Sequence, residues 1–269
     1  MLEYINAAIF GIVQGITEFL PISSSGHLII LHNFLNLPIQ NEMAFDVILH
    51  LATLLAVVYF FRLEICQLAA AWFKSLSGQN DDNSRIAWLI IIGTIPAALA
   101  GWLFEDIVEN FLRSPLIVAI MLIVVGVLFI VFEKIFRSSQ SYKYLNLKKV
   151  LIIGFAQALA LIPGTSRSGI TILAGLGVGI KREDAIKFSF LLSIPIILGA
   201  SLKQLPEAYK YFFQSASDLA ILIIAFVFSF IAGFLAIKYF LKYARSHSLN
   251  VFAIYRFILA VAVIVFFVF

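Results

Sequence analysis

The first group of residues capable of chemistry lies near the start of the chain, in the stretch Gln14-Gly-Ile-Thr-Glu18-Phe-Leu-Pro-Ile-Ser-Ser-Ser-Gly-His27. Gln14 and Glu18 are four residues apart and therefore share one face of a helix. Pro21 ends that helix, and the serine run places hydroxyls and free backbone N–H groups at the start of the next one, where an anion binds readily. A carboxylate, a hydroxyl and an imidazole gathered there suit nucleophilic or general-base chemistry.

Simpler interpretations exist for parts of this motif. Serine-rich turns are often only helix caps, and a single histidine is often structural. Glu18 favours function, because a carboxylate inside a membrane segment costs about 2.5–3.5 kcal/mol or more and is usually retained for a purpose. We therefore predict a functional set, in which Gln14, Ser23 and Ser25 contact a bound anion.

A second motif, Pro163-Gly-Thr-Ser-Arg167-Ser-Gly-Ile-Thr171, places one arginine in an otherwise uncharged stretch. Arginine presents planar, multidentate donors that match phosphate oxygens. The alternative is an arginine that reaches out to the membrane surface, but Arg167 lies too far from either end of the segment to do so easily. We predict a phosphate-binding Arg167, with these polar neighbours beside it: Thr165, Ser166, Ser168 and Thr171.

Other polar residues give weaker signals. Asp46 and His50 are also four residues apart, and they either line the site or pair with each other. Arg256, near the start of the last apolar segment, is expected at the membrane interface. No set of His and Cys residues has the spacing of a transition-metal site, but Glu18 together with phosphate oxygens could hold a divalent cation, Mg²⁺ or Ca²⁺.

The composition indicates that these residues are positioned by helices that cross a membrane. Of the 269 residues, 62% are hydrophobic and only 13% are charged, and the mean hydropathy is +1.03. A soluble domain usually carries about 25% charged residues, and a bilayer core needs about 20 apolar residues per helix. The sequence therefore predicts an all-α integral membrane protein. Six segments are long enough to cross: 45–62, 85–104, 115–133, 185–202, 218–241 and 250–269.

Two further apolar regions, 4–36 and 149–180, are each interrupted in the middle by Pro, Ser and Gly. Their halves of about 12 to 15 residues reach only about 18 to 22 Å at 1.5 Å per residue, which is short of the membrane thickness. A re-entrant helix–loop–helix that enters and leaves on one side fits these lengths. Irregular backbone at that depth is tolerated only where protein or water surrounds it.

The basic residues then predict the orientation. With these spans, 14 of the 19 Lys and Arg fall on one side, and Arg113, Lys203 and Lys210 fall on the other. The richer side is cytoplasmic by the positive-inside rule, so both termini and the entry of the first broken region lie outside. The net charge of +4 is mainly a signal of topology and does not indicate a nucleic-acid partner.

The two broken regions resemble each other. One reads Gly-Ile-Val-Gln14 before its Pro and Ser residues, and the other reads Gly-Phe-Ala-Gln157 before its own. Each is followed by three spans. Because three is an odd number, the second copy starts on the opposite side of the membrane and is inverted relative to the first. We predict a single membrane domain built from an inverted repeat, residues 1–133 and 149–269, in which broken helices meet near the midplane and form a site.

These residues resemble a known family. Gln14-x3-Glu18 with Pro-x-Ser-Ser-Ser-Gly-His27, and Pro163-Gly-Thr-Ser-Arg-Ser-Gly169, are similar to motifs of the undecaprenyl-diphosphate phosphatases, also called bacitracin-resistance proteins. The stretch from Phe45 to Ala56 is similar to the family's third recurring segment, and the resemblance covers essentially the full length. It implies an enzyme of the bacterial cytoplasmic (inner) membrane that converts undecaprenyl diphosphate to undecaprenyl phosphate, which recycles the carrier lipid for peptidoglycan synthesis and gives bacitracin resistance.

The resemblance also implies roles for single residues. Ser24 matches the family's proposed nucleophile, Glu18 and His27 match its acid/base or metal-linked pair, and Arg167 matches its phosphate-binding arginine. Gln14 stands where some members have Glu, which leaves one carboxylate at this position. The Ser-Gly-His triplet is shared with another group of lipid phosphatases, but the Lys-x6-Arg-Pro signature of that group is missing.

Several alternatives stay open at the level of sequence. The nucleophile is Ser24, His27 or an activated water. The inverted repeat is also common in carriers, so a transporter or flippase of the phosphorylated polyprenyl lipid is the alternative function. A structural membrane protein leaves Glu18 and Arg167 unexplained. Expected partners are a polyprenyl diphosphate, membrane lipids and a second copy of the chain in a homodimer, and the site is expected to face the periplasm.

Overall fold

The computed structural model describes residues 1–35, 37–112, 114–136, 140–213 and 215–267. Within these ranges the regular structure is helical, apart from one isolated bridge between Gln140 and Ile180. The α-helices are α1 (Leu2–Phe19), α2 (Ser24–Phe34), α3 (Glu42–Phe60), α4 (Arg62–Ser75), α5 (Asp82–Leu103), α6 (Glu105–Phe111), α7 (Pro115–Ile135), α8 (Leu147–Leu159), α9 (Arg167–Gly177), α10 (Arg182–Phe212), α11 (Ala216–Ala244) and α12 (Asn250–Phe267).

Six of these helices are long and apolar enough to cross a membrane: α3, α5, α7, α10, α11 and α12. They coincide with the six predicted spans, which confirms the number and the order. The fourth differs most, because α10 continues ten residues beyond the predicted end at 202 and includes Pro206. Arg113 and residues 268–269 of the predicted last span lie outside the described residues, as does Asn36 at the end of the first broken region.

Two short helices, α4 and α6, follow spans directly and were not predicted. α4 lies between the first two predicted spans, 45–62 and 85–104, and packs on α5. Its sequence carries charged residues among apolar ones, so it resembles neither a span nor a loop. Buried Leu68 and Ala71 form its inner face, which explains why this segment folds onto the bundle.

Each broken region folds into two helices joined by a non-helical segment. The first break, residues 20–23, joins α1 to α2, and the second break, residues 160–166, joins α8 to α9. The helices on either side have 18 and 11 residues in the first region, and 13 and 11 in the second. The interruption predicted from Pro and Ser is therefore present in both, and its placement relative to the membrane stays a prediction.

Small residues let the helices before the breaks approach their neighbours closely. A Cβ at Gly11 of α1 would lie 2.2 Å from the Ala225 carbonyl oxygen of α11, and a Cβ at Gly154 of α8 would lie 2.4 Å from the Gly93 carbonyl oxygen of α5. Neither glycine can be replaced without moving a helix. These two contacts hold α1 against α11 and α8 against α5, and thereby fix where each break sits in the bundle.

Candidate active site

The backbone of both breaks is strained at one serine. Ser23 has φ 73° and Ser166 has φ 71°, and they are the non-glycine residues with positive φ in the described part of the chain. Each caps the following helix, because Ser23 Oγ accepts from the Gly26 N–H at 3.3 Å and Ser166 Oγ accepts from the Gly169 N–H at 3.1 Å. Such strain costs about 1–3 kcal/mol and collects at functional sites.

The side chains around the two caps correspond as well. Ser23 Oγ lies 3.3 Å from Ser25 Oγ, and Ser166 Oγ lies 3.2 Å from Ser168 Oγ. The residue between the two serines is Ser24 in the first break region and Arg167 in the second. Both are the first residues of their helices, α2 and α9, whose free N-terminal N–H groups favour an anion.

Glu18 joins these two corresponding residues. Its Oε1 accepts from Arg167 Nη2 at 2.6 Å, across 149 residues of sequence, and its Oε2 accepts from Ser24 Oγ at 2.8 Å. The Glu18 side chain is 5% exposed and that of Arg167 14%. The predicted meeting of the two motifs is therefore present, with a hydroxyl, a carboxylate and a guanidinium in direct contact.

Gln14 and His50 complete the surroundings of the Glu18 carboxylate. Gln14 Nε2 donates to Glu18 Oε2 at 3.2 Å, and His50 Nδ1 lies 3.1 Å from the same oxygen and 2.8 Å from Gln14 Nε2. Of the two alternatives for His50, the structure favours lining the site. Asp46 instead contacts His32, with 2.9 Å between Oδ1 and Nε2.

His27 faces away from Glu18, toward α12. Its Nδ1 lies 2.7 Å from the Ser23 carbonyl oxygen, which can only accept, so Nδ1 carries a proton. In the neutral ring Nε2 is then an acceptor for the Tyr255 hydroxyl at 2.7 Å, and the two rings stack 5.6 Å apart. His27 thus supports the first break, while His50 is the imidazole next to the carboxylate.

Three other predicted residues of the second motif, Ser168, Thr171 and Thr165, lie beside Arg167 in different surroundings. Ser168 Oγ donates to the Leu20 carbonyl at 3.3 Å and so ties the second break region to the first. Thr171 Oγ1 donates to the Arg167 carbonyl at 2.7 Å and lies 2.6 Å from Ser189 Oγ, within the protein. The Thr165 hydroxyl is buried without a hydrogen-bond partner.

Comparison with known proteins identifies the family. A family model described as bacitracin resistance protein BacA matches residues 7–262. The chain belongs to this family. Proteins named undecaprenyl-diphosphatase are 45% identical over 98% of both chains in Rubrobacter xylanophilus and 43% identical over 97% of both chains in Elusimicrobium minutum. The undecaprenyl-diphosphatase 1 of Pseudoalteromonas translucida is 42% identical over 98% of this chain and 99% of that one. The resemblance stated from the motifs is confirmed.

The position of Arg256 in this BacA-family chain corrects the prediction of an interfacial residue. Its side chain is fully buried and donates to five backbone carbonyls, two of α7, one of the first break and two of the second. The prediction was wrong because position along a helix does not reveal what faces it. Helix α7 packs against α12 and buries this turn, and the broken segments bring carbonyls that need donors.

The residues around Glu18 offer little to a divalent cation in this arrangement. The described residues contain no group of three or more His, Cys, Asp and Glu arranged for a metal ion. Both oxygens of Glu18 accept from protein donors, and Arg167 places a positive charge 2.6 Å away. A cation would have to displace one of these donors or be held mainly by phosphate oxygens.

Proposed function

We propose that this membrane protein hydrolyses undecaprenyl diphosphate to undecaprenyl phosphate and inorganic phosphate, which recycles the carrier lipid. The substrate is the one named for relatives that are 42–45% identical over almost the whole chain. The observation that carries it is the contact of Glu18 with Ser24 on one side and Arg167 on the other. These groups are what phosphoryl transfer from an anionic lipid requires.

In the proposed site, the terminal phosphate lies between the N-termini of α2 and α9. Arg167 and the free N–H groups of both helices stabilise the charge on its oxygens. The Ser24 hydroxyl already donates to Glu18, so the carboxylate is placed to accept its proton during attack. Gln14 and His50 hold that carboxylate from the other side.

Two routes fit this geometry. In one, Ser24 Oγ bonds to the terminal phosphorus, the anhydride P–O bond breaks, undecaprenyl phosphate leaves, and water then hydrolyses the phosphoserine. In the other, Glu18 takes a proton from a water that attacks the same phosphorus directly. His27 as nucleophile is the least supported, because both of its ring nitrogens are engaged by Ser23 and Tyr255.

The inverted repeat and the re-entrant placement belong to this proposal. The pairing of α1 with α11 is matched by that of α8 with α5, which is the exchange expected from two inverted copies. The equivalent glycines Gly11 and Gly154 each face a backbone carbonyl of the paired helix with no room for a Cβ. We propose that α1–α2 enters from the periplasm and α8–α9 from the cytoplasm, with the site open to the periplasm of a bacterial inner membrane.

Purified protein and a C55 diphosphate test the proposal by release of inorganic phosphate. We expect turnover by the unaltered chain and a loss on the order of 10²-fold or more in Ser24→Ala and in Arg167→Ala. Ser201→Ala is a matched control, because this buried hydroxyl has no partner and should leave the rate unchanged. Normal turnover in both site variants would contradict the site, and no release by the unaltered protein would contradict the function.

Two further experiments test the divalent cation, by the same phosphate-release assay, and the homodimer. Loss of activity with a chelator, restored by Mg²⁺ or Ca²⁺, would support the divalent cation, and chelator-resistant turnover would contradict it. Chemical cross-linking of the protein in membranes tests the homodimer. The transporter hypothesis gains no specific observation from the site, and movement of the monophosphate lipid across vesicles without hydrolysis would be needed to revive it.

A further inference from the structure

Arg256 is the buried cation that the proposed chemistry does not use. It lies on α12 with its side chain fully buried, and its described contacts include no carboxylate. A buried arginine ordinarily has an anionic partner, because desolvation of an unpaired charge is costly. The reason that Arg256 is kept must therefore lie in the groups that it does contact.

Those groups are five backbone carbonyls from three segments. Arg256 Nη1 donates to Pro21 of the first break at 3.2 Å, and Nη2 donates to Gly164 and Thr165 of the second break at 2.7 and 3.2 Å. Nε donates to Leu122 at 3.1 Å and Nη2 also to Met121 at 3.1 Å, both in α7. One guanidinium thus bridges both breaks and fastens them to the same helix.

The break carbonyls need such a donor. Pro21, Gly164 and Thr165 lie where the helices are interrupted, so these carbonyls lack the helical N–H that would otherwise satisfy them. Water is scarce at membrane depth, and each unsatisfied group there is costly. The planar fork of arginine, with five N–H groups, can serve several carbonyls at once, whereas lysine has only three donors on one atom.

Helix α7 gives both breaks a common support. A Cβ at Gly164 would lie 2.5 Å from the Val118 carbonyl oxygen, and a Cβ at Gly26 would lie 3.3 Å from Val118 Cγ1. Both break regions therefore pack on the same turn of α7, and Arg256 binds its next turn. The Tyr255 hydroxyl, from the neighbouring position of α12, holds His27 at 2.7 Å.

We propose that Arg256 is a positioning residue that fixes the two breaks relative to each other, and thereby sets the separation of Ser24 from Arg167. It has no described contact with either side chain, so it acts through the Pro21, Gly164 and Thr165 carbonyls. Its catalytic consequence rests on the hydrolysis proposed above. A shift of one break by about 1 Å would lower turnover on the order of 10²-fold, because the transition state needs both breaks.

The test compares Arg256→Lys and Arg256→Met with Arg182→Met. Arg182 is a suitable control because it also donates to a backbone carbonyl, that of His247 at 2.6 Å, at the end of the bundle away from the breaks. We expect both Arg256 variants to lose kcat on the order of 10²-fold with KM within about threefold, and Lys to restore little despite its charge. Arg182→Met should keep the kcat of the unaltered protein.

Hydrogen exchange followed by mass spectrometry gives a readout independent of activity. Arg256→Lys should speed exchange of amides in residues 20–26 and 160–169 together, while α11 and the N-terminal half of α3 keep their protection. Faster exchange along all helices, failure of both variants to fold, or an effect on KM alone would overturn the positioning role. If the unaltered protein releases no phosphate, the proposed function fails, and the exchange experiment still decides the role of Arg256.

Discussion

The two breaks have the same backbone conformation at the capping serine and differ in their side chains. Both contain a serine at φ near +70° that caps the next helix and lies 3.2–3.3 Å from a second serine two residues on. Between these serines stands Ser24 in one and Arg167 in the other. Glu18 follows Gln14 by four residues before the first break, whereas Leu161 follows Gln157 by four at the second.

This difference shows that two break regions with the same backbone conformation contribute different chemical groups to one site. Each break is followed by a capped helix N-terminus, which favours an anion through backbone N–H groups alone. The first adds the hydroxyl and carboxylate that can exchange a proton, and the second adds the fixed positive charge. Glu18 then joins the halves, so that neither break region is a complete site on its own.

The largest expected effect comes from removing the charge that joins the breaks. Glu18→Gln keeps the shape but loses the proton acceptor of Ser24 and the partner of Arg167, so we expect kcat/KM to fall on the order of 10³-fold. Phosphate release measures this. Glu133→Gln is the matched control, since Glu133 is 6% exposed in its side chain and pairs with Arg182 at 2.8 Å, away from the breaks. Equal losses in the two variants would show that Glu18 acts only structurally.

An intermediate effect separates the two equivalent glutamines. Gln14→Leu removes a hydrogen bond to the Glu18 carboxylate, and a bond to a charged group is worth about 1.5–3 kcal/mol, so kcat/KM should fall about 10- to 100-fold. Gln157 is buried with neither amide atom hydrogen-bonded, so Gln157→Leu should leave kcat/KM unchanged and raise the apparent melting temperature in detergent. The comparison fails if Gln157→Leu is the more damaging substitution for activity.

The smallest effects concern what the breaks have in common. Ser23→Ala and Ser166→Ala each remove a cap but keep the positive φ, which should destabilise the protein by about 0.5–2 kcal/mol at both places. Ser23→Gly and Ser166→Gly lose the cap but relieve the backbone, so they should come closer to neutral. Apparent melting temperatures measure both pairs. A clear difference between the two breaks would refute their structural equivalence.

The sequence predicted what local chemistry determines. Six apolar runs indicated the six spans, and Pro with Ser indicated the two interruptions, because hydropathy and proline act through the chain itself. The contact of Glu18 with Arg167 was expected from the predicted inverted repeat, in which the two interrupted segments meet. Ser24 and Arg167 were found because hydroxyl-rich and charged residues stand out in apolar sequence.

The missed features depend on which faces meet. His50 lies on a span, and its spacing from Asp46 allowed two interpretations until α1 was seen beside α3. Arg256 was expected at the interface because the carbonyls that it binds belong to three segments distant in sequence, and the residues next to Arg256 do not reveal them. His27 stands in the motif, yet the contact that turns it from Glu18 comes from Tyr255 of α12.

The central claim is that Ser24 of one break and Arg167 of the other act on the same phosphate. A double-mutant cycle on kcat/KM for hydrolysis of the C55 diphosphate, with Ser24→Ala, Arg167→Met and the double variant, tests it most directly. We predict that the double variant loses no more than about tenfold beyond the worse single variant, because each change alone disables the same transition state. If the fold-loss of kcat/KM in the double variant equals the product of the two single losses, the two residues act independently, and a shared site is contradicted.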